Sequence, residues 1–89
     1  MQPVSKYVNG TTSQQIKANA GTLWGIVVNS HTSGTIKLWD NTSAAGTVIF
    51  NTITLTAGAN FIMFPVGISF YTGLYITVGG TIDYTLLVS

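Results

Sequence analysis

Apolar and polar residues alternate along most of the chain with a period of two, which is the side-chain period of a β-strand. The clearest example is the segment 35–40, where Ile36 and Leu38 occupy one face and Lys37 and Trp39 the other. No segment long enough to form a helix repeats apolar residues at the 3.6-residue helical spacing. Thr, Val, Ile and aromatic residues dominate instead, and these side chains fit a pleated, half-buried surface. The pattern therefore predicts strands throughout.

Clusters of Gly, Asn and Ser separate these segments at the spacing of about 8–12 residues that is typical of small β domains. Further turns are predicted at 41–46 and 57–60. The predicted strands are Val4–Val8, Gln14–Asn19, Thr22–Asn29, Thr35–Asp40, Thr47–Thr56, Phe61–Phe64, Gly73–Val78 and Thr81–Val88.

Local breaks in the pattern predict how the strands are joined. The segment 31–34, His-Thr-Ser-Gly, predicts a turn, and Gly79-Gly80 predicts the tight turn of a hairpin. The alternation of apolar and polar residues changes phase near Asn51-Thr52, which indicates a bulge or bend. Pro65 has no N–H to donate, so the strand before it is confined to a sheet edge or a strand end.

These features predict an all-β fold in a single small antiparallel β-sandwich, jelly-roll-like or immunoglobulin-like in outline. The inward-facing residues are predicted to come from alternate positions, such as those of the last strand. We expect the domain to span residues 14–89. Residues 1–13 are a candidate N-terminal arm that orders on docking.

The 89-residue chain carries only five charged side chains, where an average soluble domain of this length has about 22. Chains this small bury a limited core and usually need disulfides, a metal or oligomerisation. The chain has no cysteine and one histidine, so disulfides, thiolate zinc sites and a His-based metal site are not expected. The remaining ways to reinforce so small a core are self-association and docking on a partner. The charged residues are Lys6, Lys17, Lys37, Asp40 and Asp83.

The same composition excludes several partner classes. Three scattered lysines without any arginine do not make the basic patch that binds nucleic acid. The longest apolar runs are far shorter than the ~20 residues of a membrane-spanning helix. No basic-then-apolar leader opens the chain, so we expect no signal peptide and a soluble protein that is made inside the cell. We therefore expect neither a nucleic-acid nor a membrane partner.

Residues suited to catalysis are too few for a reaction centre. His31 is the only candidate general base, and it lies in a predicted Ser/Thr/Gly turn. Asp40 and Asp83 are the only carboxylates, and Asp40-Asn41 is typical of a turn in which the side chain binds the following backbone. A calcium loop at 40–43 needs several carboxylates and has one. We expect no catalytic, cofactor or metal site, and a protein that is not an enzyme.

The aromatic side chains offer a binding surface instead. Ten of the 89 residues are Phe, Tyr or Trp, and most are predicted core residues. By parity, Trp39 and Tyr75 point outward, opposite to their apolar neighbours. An outward Trp beside Lys37 is either an anchor of a protein interface or a platform for a sugar ring. These three residues, Lys37, Trp39 and Tyr75, are the candidate interface.

Five segments carry a resemblance to small proteins of tailed phages, notably cyanophages and other marine phages. They read GTLWGIVVN at 21–29, GTIKLWDN at 34–41, GTVI at 46–49, GISF at 67–70 and GLYITVGGTIDYT at 73–85. The resemblance spans roughly residues 16–88.

The resemblance implies a virion structural protein, made in the host cytoplasm, that decorates or cements the capsid or forms part of a head fibre. Proteins of this type are small, commonly trimeric and bound over capsomer junctions. It therefore implies the major capsid protein or another virion protein as partner, and a homotrimer. A carbohydrate-binding module or a tail or fibre adhesion module is the alternative that the exposed aromatic residues leave open.

Overall fold

The structure, a computed structural model, describes residues 6–56 and 61–89, with the backbone alone for 61–65. Every regular element in these residues is a strand, and every strand pair is antiparallel. The predicted all-β class is therefore confirmed. The strands are β1 (Lys6–Gly10), β2 (Gln14–Lys17), β3 (Gly21–Asp40), β4 (Thr47–Thr54), β5 (Phe61–Phe70) and β6 (Leu74–Val88).

Strands β3 and β6 are too long to be straight. A strand of 20 residues, the length of β3, would extend about 66 Å at 3.3 Å per residue, whereas the longest dimension of the molecule is 35 Å. The register between β3 and β6 shifts between Val28 and Ser30 and again between Thr32 and Thr35. Both strands bend there, and the single sheet folds over into two layers.

Each layer contains four strands and shares β3 and β6 with the other. Layer one consists of β1, residues 82–88 of β6, residues 21–28 of β3, and β5. Layer two consists of β2, residues 74–79 of β6, residues 35–40 of β3, and β4. The result is the small antiparallel β-sandwich that the sequence predicts.

Two of the predicted turns are wrong, because the chain bends at these points without reversing. Residues 31–34 lie inside β3, and the predicted hairpin at Gly79-Gly80 lies inside β6. Ser33 and Gly80 adopt positive φ angles of 51° and 71°. They lie against each other at the bend that joins the two layers, which we call the corner. A β-carbon on Gly80 would lie 2.2 Å from the Ser33 carbonyl oxygen, so only glycine permits this approach.

The inner faces of the two layers form one hydrophobic core. Tyr84 and Phe70 are its largest fully buried side chains. The alternation predicted for the strands containing Ile36 and Leu38, and for the last strand, is confirmed, since the inward set of each is buried. The buried residues are Leu23, Ile26, Val28, Ile36, Leu38, Leu55, Phe70, Leu74, Ile76, Ile82, Tyr84, Leu86 and Val88.

The irregularity predicted near Asn51-Thr52 is confirmed. Ile36 pairs with Ile53, but Leu38 pairs with Phe50, so β4 holds one more residue than β3 over this stretch. The extra residue restores an inward position for both Phe50 and Ile53, which pack against the core.

The edge position predicted from Pro65 is also confirmed, because β5 pairs only with β3 among the described strands. The strand is longer than the predicted Phe61–Phe64, since it continues to Phe70 after an irregularity opposite β3. The predicted turn at 57–60 lies outside the described residues. Residues 6–10, within the candidate arm, form β1 along the outer side of β6.

Candidate interaction site

The outer surface of layer two carries a patch that we call the aromatic face: Lys37, Trp39, Tyr75 and Thr77. Trp39 is the direct cross-strand partner of Tyr75, and Lys37 is the partner of Thr77. All four side chains are half-buried and alternate with core residues along β3 and β6. The structure thus brings together the three residues proposed from the sequence, Lys37, Trp39 and Tyr75.

Two contacts hold Trp39 in place on this face. Its indole Nε1 donates a hydrogen bond of 3.0 Å to Thr77 Oγ1. The Lys37 ammonium nitrogen lies 4.5 Å from the centre of the Trp39 ring, within cation–π range. The indole therefore has a satisfied polar edge and a fixed orientation, and it loses little conformational freedom when a partner covers it.

The aromatic pair is the centre of a longer row across layer two. Gln15 of β2 is the partner of Tyr75, and Val48 of β4 is the partner of Trp39. Four adjacent strands at about 4.8 Å spacing make this row roughly 14 Å long. The four side chains of the row are uncharged, and the Lys37 ammonium group lies against the row over the Trp39 ring.

The outer surface of layer one differs in chemistry. Here Asn9, Asn29, Asp83 and Thr85 form a polar ladder across β1, β6 and β3, which we call the ladder face. Asn29 Nδ2 donates to Asp83 Oδ1 and to Thr85 Oγ1, each at 3.2 Å. The Thr85 hydroxyl donates in turn to Asn9 Oδ1. These groups satisfy one another on an exposed surface.

His31 has a structural role at the corner. Its Nε2 lies 2.9 Å from the Thr56 carbonyl oxygen, and its Nδ1 lies 3.4 Å from the Gly34 backbone nitrogen. The neutral ring protonated on Nε2 satisfies both contacts, donating to the carbonyl and accepting the N–H. The ring therefore ties the bend of β3 to the residues that follow β4.

Asp40 organises the loop between β5 and β6. Its Oδ1 accepts the backbone N–H groups of Tyr71, Thr72 and Gly73, the shortest of these hydrogen bonds being 2.8 Å. Its Oδ2 also accepts the Tyr71 N–H. Burial raises the pKa of Asp40 and these three N–H groups lower it, with a net shift below its ordinary value of 3.8. The carboxylate is held as an anion by the loop that it fixes.

The neighbouring Asn41 forms the turn that the sequence predicts at this point. Its Oδ1 accepts the Thr42 N–H at 2.7 Å, and its Nδ2 donates to the Ala45 carbonyl oxygen at 2.8 Å. In the part of the chain that the structure describes, no three His, Cys, Asp or Glu residues cluster in a way that would hold a metal ion.

Sequence reasoning missed two features that depend on contacts between distant residues. Buried Tyr84 donates its hydroxyl to the Thr12 carbonyl oxygen at 2.6 Å and accepts from Gln14 Nε2 at 2.9 Å. Burial raises the pKa of this phenol, the Gln14 bond lowers it, and Tyr75 raises it, with a net upward shift. The phenol thereby fixes the connection between β1 and β2.

The second missed feature is a pocket of about 270 Å³ at the open end of the sandwich, opposite the corner. Tyr7 of β1 is 72% exposed, and no sequence signal joins this strand to Ile16 and Lys17 of β2 at a shared pocket. The pocket is lined by Lys6, Tyr7, Val8, Ile16, Lys17, Val88 and Ser89.

Comparison with known proteins finds no matching family model, no similar curated protein and no similar solved structure. Among the residues described, no helix has the length and apolar character needed to cross a membrane.

Proposed function

We propose that this chain is a non-enzymatic structural protein of a tailed-phage virion, which decorates or cements the capsid through protein–protein contacts. The observation that carries the proposal is the uncharged row centred on Trp39 and Tyr75, presented by a chain with five charges. The resemblance to small tailed-phage proteins supplies the virion context, and the aromatic face supplies a surface for contact between copies of the chain.

The aromatic face has the properties of an interface centre. Trp and Tyr are the side chains most enriched among residues that dominate binding energy, and each can bury about 150–250 Å². Trp39 is already oriented by Thr77 and Lys37. Covering this face would also compensate for the small core of an 89-residue chain without disulfides.

A symmetric assembly of copies, a homotrimer in our proposal, fits the same surface. Few charges oppose the close approach of a second copy, since the net charge is +1. The major capsid protein or another virion protein would then bind the assembly through apolar area and backbone hydrogen bonds, including strand addition at an open sheet edge.

The polar groups that an enzyme would use are occupied in the fold, which supports a non-enzymatic role. The two ring nitrogens of His31 contact backbone groups at the corner. Asp40 is bound by the N–H groups of 71–73, and Asp83 by Asn29. None of these hydrogen bonds links His31 to a carboxylate, so they form no base-and-orienter pair.

The second candidate function is carbohydrate binding on the same face. Tyr75 offers a ring, and Gln15 and Thr77 offer polar groups beside it, as sugar sites require. Two contacts count against it: Trp39 has already donated its N–H to Thr77, and the Lys37 ammonium lies over its ring. A sugar on that side of the indole must displace the ammonium.

The test uses purified particles of the phage that encodes this chain, washed from about 0.05 M to 1 M NaCl at neutral pH. This shrinks the Debye length from roughly 14 Å to 3 Å. We expect the chain to remain on the particles, because uncharged contacts hold it. Particles made with Trp39→Ala should carry far fewer copies, whereas Asn29→Ala on the ladder face should leave the number of copies unchanged.

Absence of the chain from purified particles would refute the virion proposal. Release of most copies by 1 M NaCl would mean that the lysines dominate docking, and the proposed uncharged interface would be wrong. A glycan array in which wild type binds a defined sugar and Trp39→Ala does not would favour the carbohydrate-binding alternative.

A further inference from the structure

We propose that Asn9 is a site of spontaneous deamidation, and that the pairing of β1 with β6 controls the rate of this reaction. The chain has six asparagines, and Asn9 is the only one that a glycine follows. Its side chain is exposed on the ladder face. The site is separate from the aromatic face, and the proposal stands whether or not the chain docks on a virion.

The reaction requires only groups of the chain and water. The backbone nitrogen of Gly10 attacks the side-chain amide carbon Cγ of Asn9. The new N–C bond closes a succinimide ring, the C–N bond of the amide breaks, and ammonia leaves with the proton of the Gly10 N–H. Water then opens the ring at either carbonyl and yields aspartate or isoaspartate. Asparagine is a chemically labile residue, and a glycine after it has no β-carbon to crowd the attacking nitrogen.

Packing in the sandwich explains why glycine occupies position 10. A β-carbon on Gly10 would lie 2.2 Å from Gln14 Nε2 and 2.5 Å from the Tyr84 hydroxyl oxygen. Gln14 and Tyr84 are hydrogen-bonded to each other, and the Tyr84 ring is fully buried, so this pair has little room to move aside. The contact that fixes the connection between β1 and β2 therefore also maintains the reactive Asn-Gly dipeptide.

The pairing of β1 with β6 restrains the reacting groups. Asn9 lies opposite Thr85 in antiparallel register, and the Thr85 hydroxyl donates to Asn9 Oδ1. Ring closure requires the backbone of Asn9 to leave the extended conformation of a strand and its side chain to turn toward Gly10. However, β1 is five residues long and pairs only with β6 among the described strands. Such a strand opens at a lower free energy than the whole domain, so the opened strand is the reactive state.

The two products change the sandwich in different ways. Aspartate at this position still accepts the Thr85 hydroxyl, but it adds a second carboxylate to the ladder face, which already contains Asp83. Isoaspartate adds a methylene to the backbone, so residues on its two sides cannot both keep their register with β6. Val8, which packs against the core from β1, then loses its position. Conversion therefore weakens the attachment of β1 as the protein ages.

The test incubates the purified full chain at neutral pH, in buffer and in urea concentrated enough to unfold it, and follows each asparagine by peptide mass spectrometry. We expect Asn9 to convert first in both, and at least about tenfold more slowly in buffer, because only the opened fraction reacts. Asn29 is the internal control. It is exposed on the same face and bonded to Thr85, but it precedes Ser30 in β3. Asn29 should remain largely intact when half of Asn9 has converted.

Two variants test the control by strand pairing. Val8→Ala removes apolar contact that holds β1 on the core and leaves the reacting groups in place. We expect it to accelerate conversion of Asn9 in buffer by about two- to fivefold and to leave the rate in urea unchanged. Val48→Ala, at a half-buried valine of the edge strand β4, is the matched control and should change neither rate. Wild type in urea below its unfolding transition provides the same test without a substitution.

Three outcomes would overturn the proposal. Earlier conversion of another asparagine would show that the site is wrong. Equal rates in buffer and in urea, or equal rates in Val8→Ala and wild type, would show that strand pairing does not control the reaction. If Asn9 converts in urea but stays intact in folded Val8→Ala, it is not a site of the folded protein. Circular dichroism reports whether each variant is folded.

Discussion

The two outer faces of the sandwich are built on the same pair of long strands, yet they present opposite chemistry. On the ladder face, Asn29 and Thr85 bond to each other and to neighbouring polar groups. On the aromatic face, Trp39 and Tyr75 lie side by side with a single hydrogen bond holding the indole. A polar network that satisfies itself gains little from a partner, whereas half-buried aromatic surface gains by being covered.

From this difference we expect the ladder face to stabilise the fold and the aromatic face to mediate association. Groups on the ladder face contribute to holding β1, β6 and β3 together, because their partners lie on adjacent strands. In our proposal, groups on the aromatic face contribute mainly to contacts with a partner chain. Substitutions on the first face should change the free energy of unfolding, and substitutions on the second should change association.

The largest effect on the free energy of unfolding is expected from a substitution at the corner, where the two layers join. In Gly80→Ala, the new β-carbon would overlap the Ser33 carbonyl at a φ of 71°, so the corner must shift. We expect a loss of about 2 kcal/mol or more in unfolding free energy, a fall of roughly 10 °C in melting temperature. Thermal unfolding followed by circular dichroism measures it.

The matched control for the corner is Thr81→Ala, an exposed residue directly after Gly80. It should change the free energy of unfolding by no more than about 0.5 kcal/mol. Equal melting temperatures for Gly80→Ala and wild type would mean that the sheet does not bend at this contact.

A smaller effect is expected on the ladder face. Thr85→Val keeps the shape and the β-propensity of the side chain but removes the hydroxyl that links Asn9 and Asn29. We expect a loss of about 0.5–1.5 kcal/mol in urea unfolding, with no change in association. Thr54→Val, an exposed threonine on β4, is the control and should be nearly neutral. A Thr85→Val protein that unfolds like wild type but fails to associate would reverse the proposed roles of the two faces.

The smallest effect is the pH dependence of stability that the Asp40 carboxylate causes. The pKa of Asp40 is lowered in the folded state, so its stabilising contribution is present above the ordinary pKa of 3.8. That contribution is lost as the pH falls through the lower folded-state pKa. We expect the unfolding free energy of the wild type to decline below about pH 4, and this decline to be reduced in Asp40→Asn.

Asp83→Asn provides the comparison for Asp40→Asn, because it removes the carboxylate of the ladder face and leaves the 71–73 loop intact. It should retain the acid-induced decline that Asp40 causes. If Asp40→Asn and wild type lose stability in parallel below about pH 4, the N–H groups of 71–73 do not lower the pKa of Asp40 enough to matter.

The sequence predicts the faces better than the connections. A period of two follows from the strand backbone itself, so the inward Ile36 and Leu38 and the outward Lys37 and Trp39 could be assigned without knowing the fold. The continuity of β3 through 31–34 and of β6 through Gly79-Gly80 could not. A residue in the left-handed backbone conformation can either reverse the chain or bend it. Which of the two occurs depends on the pairing of the neighbouring strand.

The pocket could not be predicted for the same reason. Lys6 and Lys17 are separated by most of β1 and β2, and both line the pocket because β1 and β2 pair with the two ends of the bent β6. The aromatic face could be predicted because its members are neighbours on two strands. Its pairing of Trp39 with Tyr75 depends on the β3–β6 register, which only the structure provides.

Sedimentation equilibrium of the purified chain at tens of micromolar tests most directly the central claim, that the aromatic face is the contact surface. We predict that wild type and Thr85→Val sediment as the same oligomer, a trimer, and that Trp39→Ala sediments as a folded monomer. Truncation of an interface-centre tryptophan costs about 2 kcal/mol or more, a weakening of at least about 30-fold per contact. A wild-type monomer, or a Trp39→Ala protein that remains fully associated, would contradict this claim.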